Sequence, residues 1–152
     1  MIFAGALVTA VGLGMRGWAA GYLRKQEELA VAGPYAYSRN PLYLGSAVLL
    51  AGLILGTWSW VSAALAVAYF AVFYSAVMRR EEEDLRQKFG LVFEEYARAV
   101  PLFFPRWSAF RVETATETFS WRQYWRNREY RAIVGCLFVL GLLVVIWAYR
   151  LG

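Results

Sequence analysis

Two short stretches combine residue types that can manage charge. Arg79-Arg80-Glu81-Glu82-Glu83-Asp84 places acids directly behind two arginines, and Arg39-Asn40-Pro41 places a cation where a helix can begin. Pro41 suits a first helical turn, where its missing N–H costs nothing. The free amides of that N-terminus, with Arg39 just before them, make an electropositive spot able to hold a carboxylate or phosphate. In the second stretch, Leu85, Phe89, Val92, Phe93, Tyr96 and Val100 recur at helical spacing and predict an apolar stripe. Counting back three and four residues from Leu85 lands on Glu82 and Glu81. Those two carboxylates continue the packed side, while Glu83 and Asp84 turn toward water. Adjacent acids on a packed side need a cationic partner. Arg39, Arg79, Arg80 or a cationic ligand would serve.

The chain has no histidine and one cysteine, Cys136. An internal disulfide is excluded, no zinc-type ligand set is present, and metal catalysis is not expected. The usual general base near neutral pH is missing, which removes Ser-His and Cys-His nucleophile schemes. Net charge is +5, yet no basic motif or fold signature accompanies it, so nucleic acid is not an expected partner.

These residues are carried by an apolar chain: 60% of its 152 residues are hydrophobic and 18% charged, against about 25% charged in an ordinary soluble domain. Such a composition excludes a soluble globular enzyme and predicts an all-α integral membrane bundle of about four crossings. Ile2 to Leu23 is one candidate span, interrupted by Arg16. Pro41 to Met78 carries no charged side chain and is long enough for two, with a hairpin at Thr57-Trp58-Ser59-Trp60. Ala132 to Tyr149 is the fourth. Lys and Arg flank the inner ends of these spans and avoid the hairpin tip, which predicts cytosolic basic segments and both termini outside. The N-terminus has no basic stretch before its apolar run, so it reads as a retained helix and not a cleaved signal.

Arg16, under two turns from the inner end, is expected to snorkel. Rows of small residues at Ala6, Ala10 and Gly14, at Gly17 and Gly21, and at Gly52 and Gly56 predict close helix packing. A cytosolic helix is expected between the third and fourth spans. Before the fourth, Trp121, Tyr124, Trp125 and Arg128 share one face of an expected interfacial helix. Cys136 reads as a small buried hydrophobe. The division is a core over residues 1–106 and a connector, interfacial helix and extra span over 107–152.

Gly-Pro-Tyr-x-Tyr-x-Arg-x-Pro-x-Tyr-x-Gly at residues 33–45, followed after two spans by Glu-Glu-x-x-Leu-x-x-x-Phe-Gly and then Tyr96 and Val100-Pro101, resembles the isoprenylcysteine carboxyl methyltransferase and phospholipid methyltransferase superfamily. The resemblance implies that both segments converge on the cytosolic side around S-adenosylmethionine, whose methyl group passes to a lipid-borne acceptor. It implies that Arg39, Asn40, Tyr43, Gly45, Glu81 and Glu82 line the cofactor pocket and that Tyr96, Val100 and Pro101 close it. The superfamily usually has Arg-His-Pro where this chain has Arg39-Asn40-Pro41. Asparagine keeps a hydrogen bond but cannot take a proton.

A carboxylate acceptor is already an ionised nucleophile and needs no base, so a histidine-free site suits carboxyl O-methylation of an isoprenylcysteine-like acceptor. An amine acceptor would lose its proton to Glu82. Arg79 or Arg80 could orient an acidic acceptor, and both also suit membrane anchoring. The expected partners are membrane lipids and a lipid-like or prenylated acceptor, with oligomeric state open. A membrane NADPH-dependent reductase and a non-catalytic lipid-binding protein are the competing readings. The face assignment predicts that Glu82→Gln weakens S-adenosylhomocysteine binding much more than Glu83→Gln; equal losses in a titration would contradict it.

Overall fold

The computed structural model describes residues 2–24, 28–57, 59–111 and 118–151, and all regular structure among them is helical. Helices α1 (Ile2–Tyr22) and α2 (Pro41–Thr57) form the central pair. Lipid tails give two apolar helices no hydrophobic reason to associate, so backbone proximity must do it. Glycines supply that proximity: a Cβ on Gly5 would lie 2.6 Å from the Gly52 carbonyl oxygen, and one on Gly45 would lie 3.0 Å from that of Gly12. Thr9 shares the seam, its hydroxyl donating to the Gly5 carbonyl at 2.8 Å. The expected row of Ala6, Ala10 and Gly14 faces outward instead. The seam selects the neighbouring face because that face carries glycines, which permit a closer approach than alanines.

Arg16 does not snorkel. Its guanidinium meets the Glu129 carboxylate in a two-pronged ion pair, with Nη2 at 2.9 Å from Oε2 and 3.0 Å from Oε1. Nη1 also donates to the Ser46 hydroxyl and, at 3.4 Å, to the Leu42 carbonyl. A charge in an apolar bundle is tolerable only when paired and hydrogen-bonded in this way. Glu129 lies in the turn between α6 (Trp121–Arg126) and α7 (Tyr130–Leu151), so the pair fastens the C-terminal segment to the α1–α2 core. In the same turn, Asn127 Nδ2 donates to the carbonyls of Ala20 and Leu23, both at 2.8 Å. The last carbonyls of a helix have no partner within it, and Asn127 supplies one for α1. The expected interfacial helix is shorter than its pattern suggested. Tyr124 is buried over Gly17 and Arg128 has left the helix at φ 56°, leaving Trp121 and Trp125 exposed.

Beyond the expected hairpin, of which Trp58 lies outside the described residues, the Ser59 hydroxyl caps α3 (Trp60–Tyr69) by accepting from the Ser62 amide at 3.3 Å. A wide π turn at Phe70–Tyr74 leads straight into α4 (Ser75–Phe89). Gly90, at φ 54°, then breaks the chain into α5 (Leu91–Ala99). The expected single stripe from Leu85 to Val100 therefore bends at Gly90, and Val92 falls off it, 63% exposed. Leu85, Phe89, Phe93, Tyr96 and Val100 still meet in one cluster with Leu29, Val31 and Phe110. Of the four expected crossings, two helices among the described residues, Phe3–Tyr22 and Trp60–Phe89, are long and apolar enough to cross a membrane, while Pro41–Gly56 and Tyr130–Val139 are shorter apolar helices. Arg16→Met should lower stability in detergent by about 3–5 kcal/mol, because it strands a buried carboxylate, and adding Glu129→Met should recover most of the loss. Thermal unfolding of the single and double variants checks this.

Candidate functional site

Residues 33–40 are tied to residues 96–110 by a continuous set of hydrogen bonds. The Arg39 amide donates to the Pro101 carbonyl at 3.0 Å, and the amides of Arg106 and Phe110 donate to the carbonyls of Tyr37 and Ala36, each at 2.9 Å. Side chains add to this: the Ser38 hydroxyl donates to Phe103 O at 2.8 Å, Asn40 Nδ2 to Leu102 O at 3.0 Å, and the Tyr96 hydroxyl to Tyr35 O at 2.7 Å. The Gly33–Ala36 turn with Pro34, and the helix start at Pro41, hold the first segment in the shape that permits this pairing. Asn40 thus does the work of a neutral donor, binding its own segment to the other.

From this clasp an ion pair and a phenol–carboxylate approach cross to α4. Arg39 Nη1 lies 2.5 Å from Glu82 Oε1, both side chains being largely buried. Glu81, expected on the packed side, is exposed, and its carboxylate lies within electrostatic reach of the Tyr43 phenol. Arg39, Tyr43, Glu81 and Glu82 are therefore brought together although two long helices separate them in sequence. The pairing is incomplete: Arg39 Nε and Glu82 Oε1 are buried without a hydrogen-bond partner, so the Arg39–Glu82 contact is an ion pair and not an aligned hydrogen bond. Buried polar atoms without partners are rare in native proteins and call for a specific cause. One guanidinium beside two carboxylates leaves the cluster with a net negative charge, which favours a cationic ligand group. The free N–H of Arg39 suits an anionic one.

The remaining residues of the expected site sit elsewhere. Gly45 packs on α1, where a Cβ would lie 2.8 Å from Arg16 Cγ. Tyr96 and Val100 are core residues, and Pro101 is exposed and contributes its carbonyl to the clasp. Arg79 and Arg80 are exposed on α4, and no ion pair joins either to the cluster.

Some neighbours were not singled out from the sequence. Tyr74 packs edge-on against Tyr43 with ring centres 5.2 Å apart, stacks on Phe70 at 4.4 Å, and Phe70 meets Phe103 at 5.8 Å. These rings wall the cluster. Tyr35 lies within the field of Glu81, Tyr43 and Glu129, and its burial, with the Tyr96 phenol next in effect, holds its phenol well above the usual tyrosine range. It is neutral at physiological pH. Beside the clasp an apolar groove of about 250 Å³ runs between Met15, Trp18, Pro34, Tyr37, Leu44 and Pro105. The aromatic run from Tyr69 to Tyr74 and the Gly-Pro-Tyr turn were the available signals for the rings.

A family model described as phospholipid methyltransferase matches residues 3–91. The chain belongs to that family. The match takes in the Arg39–Tyr43 segment and the whole of α4, so the clustered side chains lie within the family's own region. The chain is also 37% identical over 137 residues to the nickel-cobalt-cadmium resistance protein NccN of Alcaligenes xylosoxydans xylosoxydans, covering 89% of this chain and 61% of that one. It is 38% identical over 136 residues to the cobalt-zinc-cadmium resistance protein CzcN of Cupriavidus metallidurans, covering 88% and 60%. The chain thus spans about three fifths of the length of these relatives. No solved structure matches it. Among the described residues, no three His, Cys, Asp or Glu side chains group closely enough to share a metal ion.

Asn40→Asp replaces the donor to Leu102 with a buried acceptor facing a carbonyl. It should destabilise the clasp by about 1–3 kcal/mol and raise proteolysis within residues 100–106; an unchanged digestion pattern would contradict this role.

Proposed function

We propose that this protein transfers a methyl group from S-adenosylmethionine to a lipid-borne acceptor at the membrane surface. The observation that carries the reading is the buried, incompletely satisfied pair of Arg39 and Glu82, joined by Glu81 and Tyr43. Membership of the phospholipid methyltransferase family supports it. The cofactor fits the residues: Arg39 would take its carboxylate, and Glu81 and Glu82 would take its ammonium and ribose hydroxyl groups while their surplus negative charge favours a cation. When bound, S-adenosylmethionine supplies a methyl group on a positively charged sulfur.

The chain's own part is to bind, orient and exclude water. The clasp fixes Arg39 on one side, α4 fixes the two glutamates on the other, and Tyr43, Phe70, Tyr74 and Phe103 would shield the Arg39–Glu82 pair from solvent. Well-oriented reactants are worth about 7–11 kcal/mol of barrier in favourable cases, and a displacement on a carboxylate needs little else. We favour a carboxylate acceptor on an isoprenylcysteine-like molecule, since Asn40 and the neutral Tyr35 offer no base, with Arg79 exposed to meet an acidic group. Glu82 is the available proton acceptor if the nucleophile is an amine. The apolar groove suits the acceptor's hydrocarbon chain, because it is built from lipid-level faces of α1 and α2 and backs onto the segment that carries Arg39.

In this reading α1, α2, the run from α3 through the π turn into α4, and α7 cross the bilayer, and the basic flanks favour a site on the cytosolic side. The names of the two relatives support a setting in resistance to toxic divalent metals. Methylating a surface carboxylate removes an anionic oxygen ligand for such ions.

Calorimetric titration of the detergent-solubilised protein with S-adenosylhomocysteine should show micromolar binding, reduced about tenfold or more by Arg39→Ala, which removes charge-assisted hydrogen bonds. Well-folded protein that binds NADPH instead would favour the reductase, and binding of neither would favour a non-catalytic lipid-binding role. A radiolabelled methyl-transfer assay on total lipid extract, with and without synthetic prenylcysteine, identifies the acceptor.

A further inference from the structure

The helix from Trp60 to Phe89 turns one side to the protein, and that side is not regularly spaced. Its residues below full exposure are Ala63, Ala66, Phe70, Tyr74, Ser75, Met78, Glu82, Leu85 and Phe89. Setting aside Ser75, the steps are three, four, four, four, four, three and four residues. An α-helix advances about 100° per residue, so on an unbroken helix the row through Met78, Glu82, Leu85 and Phe89 would stand about 100° round from the row through Ala63 and Ala66. One surplus residue accounts for that angle. The π turn at Phe70–Tyr74 lies between the two rows, and a turn of this type accommodates one residue more than an α turn.

The turn also has a local fastening. Widening a helix costs backbone carbonyls their regular partners, and in hydrocarbon no water replaces them. The Ser75 hydroxyl donates back to the Ala71 carbonyl and, at 3.2 Å, to that of Val72, which also accepts from the Ser75 amide.

We propose that the π turn is the register device of the site, and that Ser75 is a positioning residue that holds it. By absorbing one residue, the turn faces Glu81 toward Tyr43 and Glu82 toward Arg39. Relaxed to a regular helix with the same number of residues, every position after the turn moves on by one. Arg80 then occupies the place of Glu81, and Glu81 that of Glu82. A cation thereby enters the cluster and the paired carboxylates are lost. The consequence for cofactor binding rests on the proposed methyl-transfer function, whereas the register itself does not.

Two readouts separate them. In a Cys136→Ala background, a short bismaleimide should link Tyr43→Cys to Glu81→Cys far better than to Arg80→Cys. Ser75→Ala should reverse that preference and weaken S-adenosylhomocysteine binding about tenfold, as a deprived carbonyl drives the turn to relax, while Ser75→Thr keeps both properties. Deleting the lipid-facing Ala71 should remove the turn yet preserve the 43–81 link and the binding, and should rescue Ser75→Ala. Inserting one alanine after Ala71 should abolish both. If the Ala71 deletion loses the 43–81 link as the insertion does, the register device is overturned; if Ser75→Ala leaves the link and the binding unchanged, the role of Ser75 is overturned. If the Tyr43→Cys/Glu81→Cys protein forms the link while the protein with native Tyr43 and Glu81 binds no S-adenosylhomocysteine, the cofactor reading falls and the register stands.

Discussion

The hydrogen-bonded clasp between residues 35–40 and residues 96–110 is the constraint on which the site depends. Each segment lacks regular structure over most of this length and satisfies only part of its own backbone groups, and each supplies partners to the other. The exchange fixes the backbone of Arg39 through its amide bond to Pro101. Only the Arg39 side chain is then left to reach α4. The aromatic core under the clasp, Phe93, Tyr96 and Val100, adds apolar burial to the same join.

Among the described residues, two Arg–Glu pairs are largely buried, and they differ in degree of completion. Arg16 and Glu129 are joined through both prongs, and Ser46 and Leu42 take up further guanidinium hydrogens. Arg39 and Glu82 touch through one nitrogen and one oxygen and leave buried polar atoms unmatched. A satisfied buried pair serves to hold elements together; an unsatisfied one keeps binding capacity in reserve at a cost in stability. The difference marks Arg16–Glu129 as a structural fastening and supports Arg39–Glu82 as the proposed ligand site.

Much of the arrangement is legible in the sequence, because its causes are local. Pro41 marks the start of α2, the Thr57–Trp60 stretch falls between the end of α2 and the start of α3, and Glu82 lies one turn before Leu85 on the inward side as its spacing requires. What escapes is set by distant partners. Nothing near Arg16 announces Glu129, more than a hundred residues away, so snorkelling is the natural expectation. The choice of Gly5, Thr9 and Gly12 over Ala6, Ala10 and Gly14 depends on how closely α2 can approach. Gly90 bends a stripe that reads as one helix, and the π turn is visible only as a row of inward residues that drifts by one position.

The central claim is that two remote stretches of chain enclose one cationic-sulfur cofactor, and photolabelling with radioactive S-adenosylmethionine tests it most directly. After irradiation and digestion, label is predicted in both the peptide holding Arg39 and Tyr43 and the peptide holding Glu81 and Glu82, with excess S-adenosylhomocysteine removing both signals together. Label confined to one of them, or insensitive to the competitor, would contradict a shared cavity.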